Sequence, residues 1–428
     1  MIKKPFFGWG RPRLKYSVIK GDDKEAVTEI PLPLRASIIV DCPMEKIDER
    51  FIKRGDQVKA GKKIVLSEED NEYFISPVTG TVANISEHTG YMGMIYSSIL
   101  IEDVVEDQWD DSFKNTSDRT SIKNILAFLR CLPGGRDLAG IINSARPINV
   151  LVVKGIDEDL LVETNQSCVI NDPESLAKGI AYLKEITNAE KIIIIVPQKL
   201  VPFAEKSGAE VQVIKPFYPN AMPKIVMKDI LKIIGPPGSS CEDMGVAFIN
   251  AEAVVALADA LEKGDIPVNK TVTLIDKGGS AMNIKVRIGT HVKDILEHLN
   301  ITTKHGDRLV MGGPMRGRSI YSDDMPVGWD TDAIMIQDGN RIRAKLDIPC
   351  LNCGECVRTC PSNIQINMLV RFLENGLYNE AAQDHDLMSC VECGLCSYVC
   401  PAGIPVFHYM MLGKYEYGRQ KSTEESNA

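Results

Sequence analysis

CLNCGECVRTCP at residues 350–361 and CVECGLCSYVCP at residues 390–401 are two copies of one motif, C-x-x-C-x-x-C-x-x-x-C-P. They contain eight of the twelve cysteines of the chain. Three thiolates at two-residue gaps can surround one corner of a cubane, whereas the fourth is carried past a proline and points away. In two-cluster proteins that fourth cysteine ligates the other cluster. The spacing therefore predicts two [4Fe–4S] clusters that exchange one ligand each.

Each predicted cluster takes three cysteines from one motif and the fourth from the other motif. This exchange makes the two halves one folding unit. The predicted ligands are Cys350, Cys353, Cys356 and Cys400 for cluster 1, and Cys390, Cys393, Cys396 and Cys360 for cluster 2.

Zinc sites and disulfides are the other common uses of such cysteines. Zinc sites favour pairs of C-x-x-C with a longer gap between them and do not need a third cysteine followed by C-P. Disulfides require an oxidising compartment, and the opening residues MIKKPFFGWG show no signal peptide. Iron–sulfur clusters are the favoured interpretation.

The segment between the two motifs predicts helices. Apolar residues recur there at near-helical intervals, and Gly376 offers a stop. A minimal ferredoxin of paired hairpins would show alternating strands instead. We expect a helical two-cluster ferredoxin domain at residues 340–412.

Composition limits the remaining possibilities. The chain has 428 residues, of which 44% are hydrophobic and 25% charged, so we expect several globular domains. A net charge of −9 disfavours a nucleic-acid-binding protein. The longest apolar run, within KIIIIVP at residues 191–197, is too short to span a bilayer and predicts a buried strand. Membrane contact is therefore expected only through partner subunits.

The first hundred residues predict an arm followed by a β domain. Residues 1–35 are rich in Pro, Gly and Arg and include Phe6, Phe7 and Trp9, which fits an arm packed over another domain. Short strands and glycine turns follow at 36–102, where SPVTGTV resembles the barrel-sandwich hybrid of lipoyl and biotinyl carriers. The predicted hairpin tip reads SEEDNEYF and has no carrier lysine, so a structural role is favoured.

Two further modules precede the cysteines. After an acidic linker near residues 103–120, apolar runs alternate with amphipathic segments at 121–265 and predict a parallel, Rossmann-like α/β domain. Residues 270–320 predict two strands, a helix beginning at Thr290 and a returning strand, a β-grasp (SLBB-like) module. Its histidines, His291, His298 and His305, are spaced by seven residues, which disfavours metal binding and predicts surface or capping positions.

This order of modules, with GGPMRGR at 312–318 and the paired cysteine motif at the end, resembles the RnfC family, the C subunits of the Rnf electron transport complex. The resemblance covers roughly residues 30–410. It implies a multidomain α/β and α+β protein that carries electrons in a membrane complex. In that family, electron transfer between ferredoxin and NAD drives ion translocation.

One segment departs from the family pattern. Members that use NADH carry a G-x-G-G-x-G-F-P segment and a strand ending in N-G-x-E-C-E-P, which together hold flavin mononucleotide (FMN) and the nucleotide. The corresponding residues here read CLPGGRDLAG at 131–140 and VVKGIDEDLL at 152–161. The candidate cofactor-binding residues are therefore Gly134, Gly135, Arg136 and Glu158. Loss of the other glycines leaves FMN and NADH binding open, because side chains replace exposed amides.

The expected function is that of an iron–sulfur electron-transfer subunit of an Rnf-like complex, on the inner face of the cell membrane. It would pass electrons between a soluble carrier, ferredoxin or NAD-linked, and membrane redox subunits. Two alternatives remain open. One is a stand-alone flavin- and NADH-dependent reductase of the microcompartment cobalamin reductase type. The other is a scaffold protein in which the clusters only stabilise the docking domain.

Overall fold

The computed structural model describes residues 12–19, 26–67, 72–135, 138–144, 146–342 and 348–427. The described part of the arm packs along the middle of the chain: Tyr16 N donates to Pro216 O at 3.1 Å, and Tyr218 N donates to Leu14 O at 2.9 Å. The aromatic group predicted at Phe6, Phe7 and Trp9 lies outside the described residues. Strand β1 (Thr28–Glu29) closes the arm.

Two small antiparallel sheets form the first domain. Apolar side chains on one face of each strand, such as the facing pair Ile38 and Ile99, make its core. One sheet has the order β2-β7-β6-β3, and β4 and β5 form a separate hairpin. The strands are β2 (Ala36–Val40), β3 (Gln57–Val58), β4 (Lys63–Ser67), β5 (Glu72–Ile75), β6 (Thr79–Thr89) and β7 (Ile95–Val105).

The predicted linker at 103–120 is not a free connection. Strand β7 extends into it as far as Val105. Phe113 is 1% exposed and packs in the core of the next domain, with its ring centroid 5.4 Å from that of Phe128. The sequence did not reveal this buried ring, because the neighbours of Phe113 are acidic and solvated, as in a linker. One buried aromatic ring nevertheless fixes the segment.

A four-stranded parallel sheet with helices on its faces lies in the segment that the sequence predicts to be α/β. Its order is β10-β9-β8-β11, and Ile193 to Val196 of β9 are fully buried, as the apolar run predicts. The elements are α1 (Ile122–Phe128), α2 (Leu138–Ile142), β8 (Val150–Lys154), α3 (Thr164–Asn171), α4 (Pro173–Thr187), β9 (Lys191–Pro197), α5 (Val201–Ala204), β10 (Glu210–Ile214), α6 (Pro223–Val226), β11 (Val246–Asn250) and α7 (Ala251–Lys263).

The helical segment that begins with α6 is short and irregular. Helix α6 passes into a π-helical turn, Met227–Leu231, and the chain leaves it at Lys232, whose φ is +60°. The following Gly235, Pro236 and Pro237 cannot continue a helix.

A six-stranded mixed sheet of order β1-β13-β12-β16-β14-β15 follows. Strand β16 lies between β12 and β14, so the sheet extends past residue 320, where the sequence predicted its end. The short apolar run AIMIQ, isolated by a polar loop, did not reveal that strand. The elements are β12 (Asn269–Ile275), β13 (Ala281–Arg287), α8 (Val292–His298), β14 (Arg308–Met311), β15 (Arg318–Ser319) and β16 (Ala333–Gln337).

The histidines of this sheet differ in environment. His291 occupies the N-cap position of α8, as a capping role predicts, but it is buried rather than at the surface. Its Nε2 lies 2.8 Å from Ser37 Oγ. His298 and His305 are exposed.

Five helices form the C-terminal domain and confirm the helical prediction. Its core includes Leu369, Leu373, Leu387 and Met410. The helices are α9 (Glu355–Thr359), α10 (Ile366–Glu374), α11 (Tyr378–Gln383), α12 (Leu395–Val399) and α13 (Val406–Asn427). No helix in the described ranges has the length and apolar character needed to cross a bilayer.

Candidate redox centre

The two cysteine motifs adopt the same backbone conformation. The residue just before the second cysteine is left-handed in both, with φ of +52° at Asn352 and +59° at Glu392. Gly354 and Gly394 are also left-handed and precede α9 and α12. At Gly394 only glycine fits, because a Cβ atom there would lie 2.5 Å from Met315 O. Each motif therefore curls around a centre and then starts a short helix.

The first centre is a small cavity in the C-terminal domain. Its wall contains all three leading cysteines of the first motif, Cys350, Cys353 and Cys356. The fourth cysteine in that wall is Cys400, which comes from the second motif. The structure thus brings together the four residues predicted for cluster 1.

The second group of cysteines lies deeper. Burial, and then the neighbouring thiols Cys390 and Cys360, raise the pKa of Cys393 to about 12. Burial also raises the pKa of Cys396, with Cys390 and Cys393 among its neighbours. Cys360, from the first motif, therefore lies beside the leading cysteines of the second motif.

Backbone amides point at the sulfur atoms of both groups. Glu392 N donates to Cys390 Sγ at 3.4 Å. The amides of Val357, Leu395 and Ser397 donate to Cys356, Cys393 and Cys396, respectively. Such bonds stabilise thiolates and set the potentials of iron–sulfur clusters.

The donor set and its spacing fit a cluster. Burial and nearby thiols raise the pKa of Cys356 to about 11, so these groups would be protonated near neutral pH without a positive partner. Within the described residues, no three His, Cys, Asp or Glu side chains converge as ligands of one metal ion would. Cysteines spread around a cavity match a cubane, which is larger than an ion and binds four thiolates.

The second group of cysteines contacts the α/β domain. Tyr218 OH donates to Cys393 O at 2.5 Å. Cys393 and Leu395 belong to one apolar cluster with Val152 and Phe248 of the parallel sheet. The cavity of the first group lies farther along the C-terminal domain, beside Leu351, which is 53% exposed.

A second, larger cavity opens where β8 and β11 end. Its wall includes Glu158, one of the predicted cofactor-binding residues. Lys154 and Arg316 both pair with the Glu158 carboxylate. Burial alone would raise the pKa of Glu158, but the two cations lower it to about 2. The carboxylate is therefore neutralised by the protein and offers no free charge to a ligand.

Sequence reasoning missed two buried polar residues in the same cavity. Among the described residues, no donor forms a hydrogen bond with Asp157 Oδ2 or Asn250 Oδ1. Burial raises the pKa of Asp157 to about 7. Asn250 ends β11, and Asp157 follows the end of β8 by three residues; this position at the carboxyl ends of parallel strands is the signal that could have identified them.

Asp159 lies next to Glu158 but is engaged by the loop of the GGPMRGR segment. Its carboxylate accepts from Met315 N at 3.0 Å and Arg316 N at 2.8 Å. A Cβ atom at Gly313 would lie 2.5 Å from Asp159, which explains the glycine. This contact fixes the loop that separates the large cavity from the second group of cysteines.

The glycine pair does not face the large cavity as a phosphate-binding loop would. Gly134 N donates to Trp329 O, and Gly135 N donates to Leu132 O, both at 2.9 Å. Neither amide is available to a phosphate, so this pair does not fit the phosphate group of FMN. Arg136, the third predicted residue of this segment, lies outside the described residues.

The C-terminal domain matches the family model described as a 4Fe-4S dicluster domain, at residues 349–405. This match confirms the predicted iron–sulfur ferredoxin-like domain, and the sheets and helices of the structure confirm a mixed α/β chain. It supports iron–sulfur clusters as cofactors.

Relatives with named roles match most of the chain. The chain is 26% identical over 384 residues to the C subunit of the proton-translocating ferredoxin:NAD(+) oxidoreductase complex of Clostridium ljungdahlii, covering 84% of this chain and 82% of that protein. It is 26% identical to the C subunit of the ion-translocating oxidoreductase complex of Pectobacterium carotovorum, covering 91% of this chain and 54% of that one. For the corresponding Rhodobacter capsulatus protein the identity is 24%, with 78% and 67% covered.

The chain thus spans most of the clostridial relative and about half of the Pectobacterium one. An NAD⁺-reducing [NiFe]-hydrogenase structure matches 70% of this chain and 65% of its own chain, with a TM-score of 0.48 and 12% identity. The resemblance to RnfC that the sequence predicted is confirmed by the curated relatives.

Proposed function

We propose that this chain, a relative of the C subunits of ion-translocating oxidoreductase complexes, is the iron–sulfur electron-transfer subunit of an Rnf-like membrane complex. It passes electrons between a soluble carrier and the membrane redox subunits, and ion translocation belongs to the complex as a whole. The chain sits on the inner face of the membrane and is held there by partner subunits.

The cavity lined by cysteines of both motifs carries this proposal. Cys400 shares that cavity with Cys350, Cys353 and Cys356, which is the arrangement that exchanged ligands require. We assign these four residues to cluster 1. The assignment of cluster 2 to Cys390, Cys393, Cys396 and Cys360 is supported by the proximity of Cys360 to Cys393.

Clusters bound at these sites would each accept and release one electron at a time. The residues that would hold cluster 2 pack against the α/β domain, and those that would hold cluster 1 lie beside the exposed Leu351. Backbone amides donate to sulfur atoms in both groups, but the second group of cysteines is less exposed than the first. This difference in exposure would give the two clusters different reduction potentials.

The middle of the chain positions the clusters without a flavin. The glycine amides are used within the protein, and Glu158 is bound by two cations. In this proposal the barrel-sandwich, Rossmann-like and β-grasp domains form a frame for the C-terminal domain, and electrons reach the clusters from a protein carrier.

Anaerobic purification and chemical analysis test this function. We expect about eight irons and eight sulfides per chain and no flavin absorbance. Reduced ferredoxin should bleach the cluster absorbance, whereas NADH should leave it unchanged for minutes. Bound zinc without sulfide would refute the iron–sulfur function. Flavin absorbance with bleaching by NADH within seconds would instead identify a reductase of the cobalamin reductase type.

A further inference from the structure

A groove lies between the α/β domain and the C-terminal domain. One wall is built from the π-helical turn after α6 and the loop that follows it, including Ile234. Pro361 and Val391 belong to the other wall. A π-helical turn is uncommon and is often found at functional sites.

The groove is adjacent to the second group of cysteines. Pro361 follows Cys360 directly, and Ser389 and Val391 flank Cys390. The backbone that carries two of the four proposed ligands of cluster 2 therefore forms a surface that a partner can touch. On the opposite side, Tyr218 and the parallel sheet cover Cys393.

The groove combines apolar surface with positive charge. Ile234 is 76% exposed, and the exposed Pro236 and Pro237 continue the apolar strip. Lys224 and Lys228 line the groove, and no Asp or Glu does so among the described residues. The whole chain carries a net charge of −9, so the two lysines give the groove lining a sign opposite to that of the chain, with Asp229 and Asp243 beside the lining.

We propose that this groove docks an electron-carrier protein whose redox centre is surrounded by acidic residues. The inference rests on the proposed function and adds the docking surface and the chemistry of the partner. Lys224 and Lys228 attract the acidic surface, and the strip around Ile234 supplies the apolar contact. On docking, the carrier would be oxidised by one electron, and a cluster held by Cys390, Cys393, Cys396 and Cys360 would be reduced by one electron. No bond or proton is exchanged.

The test uses the holoprotein and a purified acidic ferredoxin, reduced photochemically and mixed under anaerobic conditions. In the variant Lys224→Glu/Lys228→Glu we expect the second-order rate of cluster reduction to fall roughly tenfold or more at low ionic strength. The difference should shrink toward twofold in about 0.5 M salt, because screening removes the electrostatic attraction. Ile234→Asp should lower the rate at both salt concentrations.

The matched control is Lys184→Glu/Lys199→Glu, two exposed lysines of the same domain outside the groove. It changes the net charge equally and should leave the rate within about twofold. Dithionite should reduce every variant fully, and iron and sulfide contents should match those of the unaltered chain. These two readouts separate a docking defect from a loss of clusters.

The possible outcomes test the docking site separately from the proposed electron-transfer function on which it rests. Equal rates in groove and control variants would overturn the docking site while the function stands. If ferredoxin fails to reduce the unaltered, cluster-loaded chain, both the function and the docking site are refuted. Light scattering that shows a dimer dissociated by Ile234→Asp would assign the groove to a second copy and also overturn the proposal.

Discussion

Asp157 is a buried carboxyl group whose ionisation the fold disfavours. It is 2% exposed; within the described part of the chain Oδ2 has no partner, and Oδ1 accepts from the backbone and side-chain amides of Asn165. Burial raises its pKa from 3.8 to about 7. The native state therefore binds this proton more tightly than the unfolded state does. Its effect on stability is absent below the unfolded pKa and becomes increasingly unfavourable as pH rises toward 7.

The substitution Asp157→Asn removes this titration while keeping the oxygen that accepts from Asn165. We expect the melting temperature of the variant, relative to the unaltered chain, to increase between pH 5 and pH 7 and to level off above pH 7. The difference can grow by up to about 1.4 kcal/mol per pH unit within that window. Anaerobic thermal melts at each pH measure it, with the exposed Asp229→Asn as control. A difference independent of pH would contradict the assigned ionisation.

Single residues also show what sequence could not reveal at the large cavity. Glu158 was predicted from its position in VVKGIDEDLL, but its pairing with Arg316 depends on a loop more than 150 residues away in sequence. Asp157 and Asn250 were missed because an unpaired buried oxygen is a property of tertiary packing. The cysteines were found because their ligand spacing is local and chemically specific.

The paired motifs are the element on which the cluster assignment depends. We expect the spectrum of Cys400→Ser to match that of Cys350→Ser, because both residues line the same cavity. Cys360→Ser should match Cys390→Ser in the same way. Electron paramagnetic resonance of the reduced variants makes the comparison.

The control for these four variants is Cys131→Ser, which alters an exposed cysteine outside both motifs and should retain both signals. If the spectrum of Cys360→Ser matched that of Cys350→Ser instead, each motif would hold its own cluster and the exchange of ligands would be wrong.

Strand β12 and helix α7 are joined by a buried ion pair between Lys270 and Glu252, and Lys270 is fully buried. Lys270→Met leaves Glu252 buried and unpaired, which costs about 3–5 kcal/mol in comparable sites. We expect the melting temperature to fall by roughly 5–15 °C. Adding Glu252→Gln should recover part of the loss, because the unpaired charge is removed.

Lys178→Met is the control for this pair, since it breaks an exposed ion pair with Glu262, which also lies on α7. That variant should melt close to the unaltered chain. A similar melting temperature for Lys178→Met and Lys270→Met would show that the buried ion pair between the two domains contributes no more stability than the exposed one.

At the level of elements, the spacing of apolar residues predicted the parallel strands and the helical segments of α4, α7 and α10. In each of these elements the apolar residues recur within one continuous segment. It failed for β16, whose five residues pair between β12 and β14 only after the chain has folded back. It also failed for Phe113, because a single anchor has no period. Long-range pairing and isolated anchors leave no local pattern to detect.

In the whole molecule, the order of modules could be predicted from the sequence, but the path for electrons could not. The structure places the second group of cysteines against the α/β domain and beside a basic groove, and the first group toward exposed Leu351. The cysteine motifs themselves do not specify these surroundings of the two groups. The central claim is that two one-electron clusters, with no flavin, conduct electrons through this chain.

A coulometric reductive titration of the anaerobic full-length chain, followed by absorbance and electron paramagnetic resonance, tests that claim most directly. We expect about two electrons per chain, one for each cluster, with no flavin semiquinone. Uptake of about four electrons with a semiquinone signal would contradict the account, and so would uptake of a single electron.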